Sequence, residues 1–223
     1  MKSIIRKLLH SIIYWDFSLL AMVVFLIFII PILPGGAHSR LYDIFFTLIY
    51  IFAALAVGIK SRYIIWFAIG VSILAWISSI LKLQFLNALS RSFSILFFIF
   101  IVVIFIAGIA RAKKVDLNII LDAINGYLLL SIVFGILVAL IMKFNPGAFN
   151  FPELEVSGVK TSRDFSEYMY YSLVSITTLG YGDIVPKIPV ARSLATFISI
   201  CGQLYIAILL ALLVGKFAAS QNK

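Results

Sequence analysis

Long apolar runs, separated by short polar connections, follow one another along most of the chain. A helix needs about 20 apolar residues to cross the hydrocarbon core of a bilayer, and we predict six such spanning helices here. The segment 143–187, which lies between the last two runs, is not predicted to span. The predicted limits are 17–33, 41–59, 63–81, 93–110 (with a start as early as residue 85), 123–142 and 188–217.

The composition agrees with a membrane protein. Apolar residues make up 63% of the chain and charged residues 12%, against roughly 25% charged residues in soluble domains. The net charge of +9 is therefore interpreted as a signal of orientation and of contact with lipid head groups, not of nucleic-acid binding. Cys201 is the only cysteine, so no disulfide can form within the chain.

Basic residues at the N-terminus and in two short loops predict the orientation. Lys2, Arg6 and Lys7 precede the first apolar run, and no small-residue cleavage site follows it, so this run is predicted to be an uncleaved helix. The loops at 60–62 and 111–114 are also basic. These features predict a multi-pass protein of the cell membrane with both termini in the cytoplasm.

The sequence Thr177-Thr178-Leu179-Gly180-Tyr181-Gly182-Asp183 carries the most specific chemistry. Gly180 and Gly182 lack a Cβ and can adopt positive φ without penalty. Successive residues of alternating handedness would aim consecutive carbonyl groups at one axis, and Thr178 would add a hydroxyl oxygen. Leu179 and Tyr181 would then point away from that axis.

This sequence resembles the selectivity filter of the potassium channel superfamily, whose common form has Val in place of Leu179. Four such loops around one axis replace the hydration shell of K⁺ with carbonyl oxygens. The resemblance implies a homotetramer that conducts K⁺, with no cofactor and no enzymatic activity. The implied ion ligands are Thr178, Leu179, Gly180, Tyr181 and Gly182, and K⁺ is the only metal expected there.

The resemblance extends from about residue 117 to residue 217 and implies a pore helix at 165–177. Either Asp164 or Ser166 is expected to cap its N-terminus. Residues expected to support the filter come from this helix and from the filter's two ends. They are Thr177, Asp183, Tyr170 and Tyr171 (where the family commonly has two tryptophans), and Val174 (where some relatives have Glu).

The resemblance also assigns expected roles to two positions that follow the filter sequence. Gly202 lies where the family has a gating glycine in its inner helix, and two interpretations stay open: a hinge, or close helix packing at a small residue. Val185 stands two residues after Asp183, where an aromatic ring favours block by external quaternary ammonium ions.

The first four helices resemble the peripheral domain of the voltage-gated-like branch in order, but not in charge. The run 93–110 contains no charged residue, and only Arg91 and Arg111 flank it. Voltage sensors move three to four charges per subunit, so we predict weak voltage dependence or none. The predicted domains are a four-helix peripheral domain (1–110), an interfacial linker helix (111–122) and a pore domain (123–223). An alternative for 111–122, which stays open, is that it forms the polar start of the fifth helix.

The predicted architecture is thus an all-α membrane protein of six transmembrane helices with a re-entrant pore helix and a filter loop. The predicted function is passive, potassium-selective conduction, with membrane lipids, K⁺ and further copies of the chain as partners. Two alternatives are a less selective monovalent cation channel and a non-conducting modulatory subunit. Leu179 favours the first of these, whereas Tyr181 argues against it.

Overall fold

The computed structural model describes residues 14–33, 38–57, 62–81, 83–112, 115–151, 155–156, 159–160 and 164–221. The fold is helical, with one hairpin of two-residue strands between the fifth and sixth helices. The elements, in chain order, are α1 (Tyr14–Ile32), α2 (His38–Ala56), α3 (Arg62–Leu81), α4 (Gln84–Arg111), α5 (Leu117–Phe144), β1 (Glu155–Val156), β2 (Val159–Lys160), α6 (Phe165–Ile176) and α7 (Pro189–Gln221).

Within the described residues, 5 helices are long and apolar enough to cross a membrane: α1, α3, α4, α5 and α7. The chain is therefore a multi-pass membrane protein. Helix α2 forms over most of the second predicted span, but it carries Arg40 and Asp43 in its first two turns and is not among the five. The count of six spanning helices stays a prediction.

The first helix changes its winding near its end. A π-helical segment at Phe25–Ile29 is followed by a 3-10 turn at Ile30–Ile32. Pro31 lies in that turn and has no N–H to donate, so the regular hydrogen-bond ladder cannot continue through it. The sequence thereby ends α1 before the connection to α2.

One apolar core joins the peripheral helices to α5. In this core the ring of Tyr50 of α2 stacks on that of Phe98 of α4 and lies edge-on to that of Phe97. The face of α5 that includes Leu129 and Ile132 belongs to the same core, and both of these side chains are fully buried. Helices α4 and α5 therefore pack together within one chain.

The segment 111–122, predicted as a linker helix, contributes its described residues to two elements. Arg111 ends α4, the backbone of Ala112 is extended, and α5 begins at Leu117. The Asp116 carboxylate caps α5 by accepting a hydrogen bond from the N–H of Ile119 at 3.1 Å. Residues 117–122 thus form the first turns of α5. Residues 113–114 lie outside the described part, and the linker at 111–122 stays a prediction.

Candidate functional site

A short helix, α6, leads into the Gly-rich sequence. Its N-cap is Asp164, whose Oδ1 accepts a hydrogen bond from the N–H of Ser166 at 2.8 Å. Glu167 lies in the first turn, where a negative charge is favourable to the helix dipole. Of the two caps predicted from the sequence, Asp164 is therefore the correct one.

The chain that leaves α6 folds back onto the end of the helix. The N–H of Thr178 donates to the Ser175 carbonyl at 3.0 Å, and the N–H groups of Leu179 and Gly180 both donate to the Val174 carbonyl, at 3.0 and 3.2 Å. These carbonyls lie in the last turn of a helix, where no partner exists within the helix itself. Val174 thus contacts the Gly-rich loop through its backbone.

The backbone of the loop alternates in handedness. Thr178 has φ 58°, Gly180 has φ 55° and Gly182 has φ 80°, so every second residue from 178 to 182 lies in the left-handed region. The positive φ predicted for both glycines is confirmed. Thr178 was not expected to share it, and it is the only residue other than glycine with positive φ in the described part of the chain. A β-branched residue rarely adopts this conformation, so the loop holds Thr178 under strain.

A hydrogen bond from α6 holds the C-terminal end of the loop. The Tyr170 hydroxyl donates to Oδ2 of Asp183 at 2.6 Å. This bond lowers the pKa of the Asp183 carboxyl from its usual range and raises that of the Tyr170 phenol to about 12. The aspartate is therefore held in its ionised form beside a neutral phenol.

Tyr171 has a different environment from Tyr170. It is buried, and its ring lies edge-on to those of Phe149 and Phe151, with centroids 4.9 and 6.3 Å away. Its contribution at this position is thus aromatic packing behind α6.

The segment before the hairpin pairs with the segment after the loop. The N–H of Asn150 donates to the Val185 carbonyl at 2.9 Å, and the N–H of Lys187 donates to the Ala148 carbonyl at 2.8 Å. Ala148 is fully buried. These backbone bonds fix the position of Val185, whose side chain remains exposed.

Helix α7 contacts the N-terminal end of the loop. The Gln203 amide donates to Oγ1 of Thr178 at 3.1 Å, and the Ser199 hydroxyl donates to the Ser175 carbonyl at 3.1 Å. A Cβ at Gly202 would overlap the carbonyl oxygen of Ile176, so glycine there allows α6 and α7 to approach closely. This finding gives the packing interpretation of Gly202 a direct physical basis, and α7 continues as a helix through that residue.

The opposite end of α6 is tied to α2. Nδ1 of His38 lies 2.5 Å from Oδ2 of Asp164, and its Nε2 lies 2.6 Å from the carbonyl oxygen of Leu33. A carbonyl and a carboxylate can only accept, so both ring nitrogens must donate and the imidazole is protonated. The Leu33 carbonyl and the Asp164 carboxylate accordingly raise the pKa of His38. The sequence alone did not connect residues so far apart.

A comparison with protein families identifies the same region of the chain as the one that contains the Gly-rich loop. Residues 126–219 match a family model described as an ion channel. Neither the curated proteins nor the solved structures contain a match to the chain. The matched region begins within α5 and includes α6, the Gly-rich loop and most of α7, and it supports an ion-channel domain in this part of the chain.

Proposed function

We propose that the protein is a potassium-selective channel that conducts K⁺ passively through a pore shared by four copies of the chain. The alternating backbone of residues 178–182 supports this function most directly. Such alternation turns successive carbonyl groups toward one side of the strand, which a dehydrated cation needs. The ion ligands would be the carbonyl oxygens of Thr178, Leu179, Gly180, Tyr181 and Gly182.

The hydroxyl of Thr178 is the proposed sixth oxygen on the inner side. It donates to the Thr177 carbonyl at 2.7 Å and accepts from Gln203. A hydroxyl oxygen has two lone pairs, so one remains for an ion. The contact with Gln203 would also orient this oxygen relative to α7.

The exposed apolar side chains around the loop favour assembly with further copies. Leu179 is 56% exposed and Tyr181 is 67% exposed in the single chain. Phe197, Ile200 and Leu204 of α7 are also exposed. Irregular backbone is tolerated at membrane depth only where protein or a water-filled path surrounds it, and a ring of four chains would supply both.

Bi-ionic recording of the purified protein in planar bilayers tests the proposal. With K⁺ on one side and Na⁺ on the other, a selective pore reverses far from zero voltage. A reversal near zero would favour the less selective cation channel, and absence of current from tetrameric protein would favour the modulatory subunit. The variant Gly147→Ala is a suitable control, because that glycine lacks positive φ and has open space around it.

We further propose that voltage affects opening only weakly. The stretch 93–110 of α4 carries no charge, and Arg91 lies half-buried near the beginning of the helix. Moving one charge across 100 mV yields about 2.3 kcal/mol, so a single arginine per chain gives a shallow response. Open probability that rises as steeply as in channels with several gating charges would contradict this interpretation. The cytoplasmic location of both termini is part of the same proposal.

A further inference from the structure

A group of buried oxygen atoms lies between α1 and α5, outside the Gly-rich loop. Asp16 is fully buried, and neither of its carboxylate oxygens has a hydrogen-bond donor among the described residues. Asn125 is also fully buried, and its Nδ2 donates to the backbone carbonyl of Asp16 at 3.0 Å. The Oδ1 of Asn125 likewise has no donor in the described part of the chain. Two polar side chains in contact thus leave three buried acceptor atoms unsatisfied.

A second carboxylate lies beside this pair. Asp122 precedes Asn125 by three residues on α5, so both side chains lie on one face of the helix. Asn125 contacts Asp16 through its amide, so Asp122, on the same face of α5, also lies toward α1. Neither Asp16 nor Asp122 forms an ion pair with another described residue. The ion pair that does form among the described residues joins His38 and Asp164.

Asp16 is fully buried with no hydrogen-bond donor and no cationic partner among the described residues, so its carboxyl group needs either a proton or a bound cation. An isolated carboxylate is costly to bury unless it is paired or coordinates a metal. Ionisable residues inside membrane-spanning helices are, for that reason, usually functional. Here all candidate ligand atoms are oxygens, which hard cations prefer. Ca²⁺ accepts such ligands in irregular arrangements, whereas Mg²⁺ requires near-octahedral geometry and retains water.

We propose that Asp16, Asp122 and the amide oxygen of Asn125 bind a divalent cation of the Ca²⁺ class between α1 and α5. Softer metals are not favoured there, because these three side chains offer only oxygen ligands and neither imidazole nor thiolate. This site is separate from the proposed filter and does not depend on its selectivity.

The site adjoins a contact between α5 and α7. The Tyr205 hydroxyl of α7 donates to the carbonyl of Ala123 at 2.8 Å, between Asp122 and Asn125 in the chain. A Cβ at Gly126 would overlap that same hydroxyl, so the two helices are close here. A cation bound at Asp16 and Asp122 would therefore stabilise the part of α5 on which α7 rests.

Terbium luminescence on the full chain in detergent tests the site. Tb³⁺ replaces Ca²⁺ at oxygen sites and can be excited through Trp15, which adjoins Asp16. The titration is done in excess K⁺, and Ca²⁺ is then added as a competitor. We expect wild-type luminescence that Ca²⁺ displaces, weaker binding in Asp16→Asn because a ligand charge is lost, and tighter binding in Asn125→Asp because one is gained.

The control is Asp43→Asn, which changes a carboxylate that accepts a hydrogen bond from Ser79 at 2.9 Å in another helix pair. It should bind Tb³⁺ as the wild type does. Asp16→Asn is nearly isosteric and should fold, which thermal unfolding of each variant will verify. Absence of Ca²⁺-displaceable luminescence, or equal affinity in wild type and Asp16→Asn, would overturn the proposal and indicate that Asp16 holds a proton instead. These results would leave the bi-ionic recordings unaffected, so failure of this site is distinguishable from failure of the proposed channel function.

Discussion

Replacement of Gly180 by alanine isolates the contribution of backbone handedness to the loop. Gly180 has φ +55°, and no heavy atom lies within 4 Å of the position that a Cβ would occupy. Within the single chain alanine would therefore fit sterically, and the cost that can be assigned to it there is that of the left-handed conformation. That cost is about 1–2 kcal/mol per residue. In a ring of four chains it sums to about 4–8 kcal/mol, which is comparable with the whole stability of many domains.

We expect the variant to relieve this strain by turning the peptide at residue 180, which misdirects a carbonyl group. Selective K⁺ flux from liposomes should be lost, while helix content by circular dichroism should remain. Gly147→Ala is the matched control, because Gly147 has the same open surroundings without positive φ. If Gly180→Ala conducts K⁺ with wild-type selectivity, then the handedness of this residue does not control conduction and the reasoning is wrong.

Three other predictions concern the ends of the loop and of α6. Protonated His38 bridges Asp164 and a backbone carbonyl, and these partners raise its pKa; its stabilisation is therefore complete below pH about 6.5 and is lost as pH rises through the higher folded-state pKa. Thermal unfolding across this range should show a loss that His38→Gln lacks, and parallel curves would refute the bridge. Tyr170→Phe removes the donor to Asp183 and should speed the loss of K⁺ current during sustained opening, whereas unchanged time courses would show that the bond does not support the filter. External tetraethylammonium should block weakly because Val185 has no aromatic face, and Val185→Tyr should strengthen block by about 0.5–2 kcal/mol per favourable contact; tight block of the wild type would contradict this.

Much of the local structure could be predicted from the sequence. Uninterrupted apolar runs indicated the long helices, because a membrane span needs little beyond length and apolarity. The glycines at 180 and 182 predicted positive φ, because the freedom to adopt this conformation depends only on the residue type at that position. The start of α5 was harder to predict: its polar residues between 117 and 122 suit an interfacial helix equally well, and the cap at Asp116 favoured the longer helix.

Contacts between distant residues could not be predicted in this way. His38 meets Asp164 across 126 positions, and Gln203 reaches Thr178 across 25. Neither pair has a local pattern, because its geometry depends on how whole helices pack. The positive φ of Thr178 is a similar case, since the local preference of threonine opposes it and only the surrounding bonds impose it.

The packing of α4 against α5 bears on whether helices α5, α6 and α7 could be produced without the helices that precede them. Phe98 and Ile101 of α4 and Leu129 and Ile132 of α5 are all fully buried within one chain. A fragment reduced to α5, α6 and α7 would present that face of α5 to lipid instead of to its aromatic partners. Helix α4 therefore covers a face of α5 that a shortened protein would expose, and the two parts of the chain are not expected to be separable without a loss of stability.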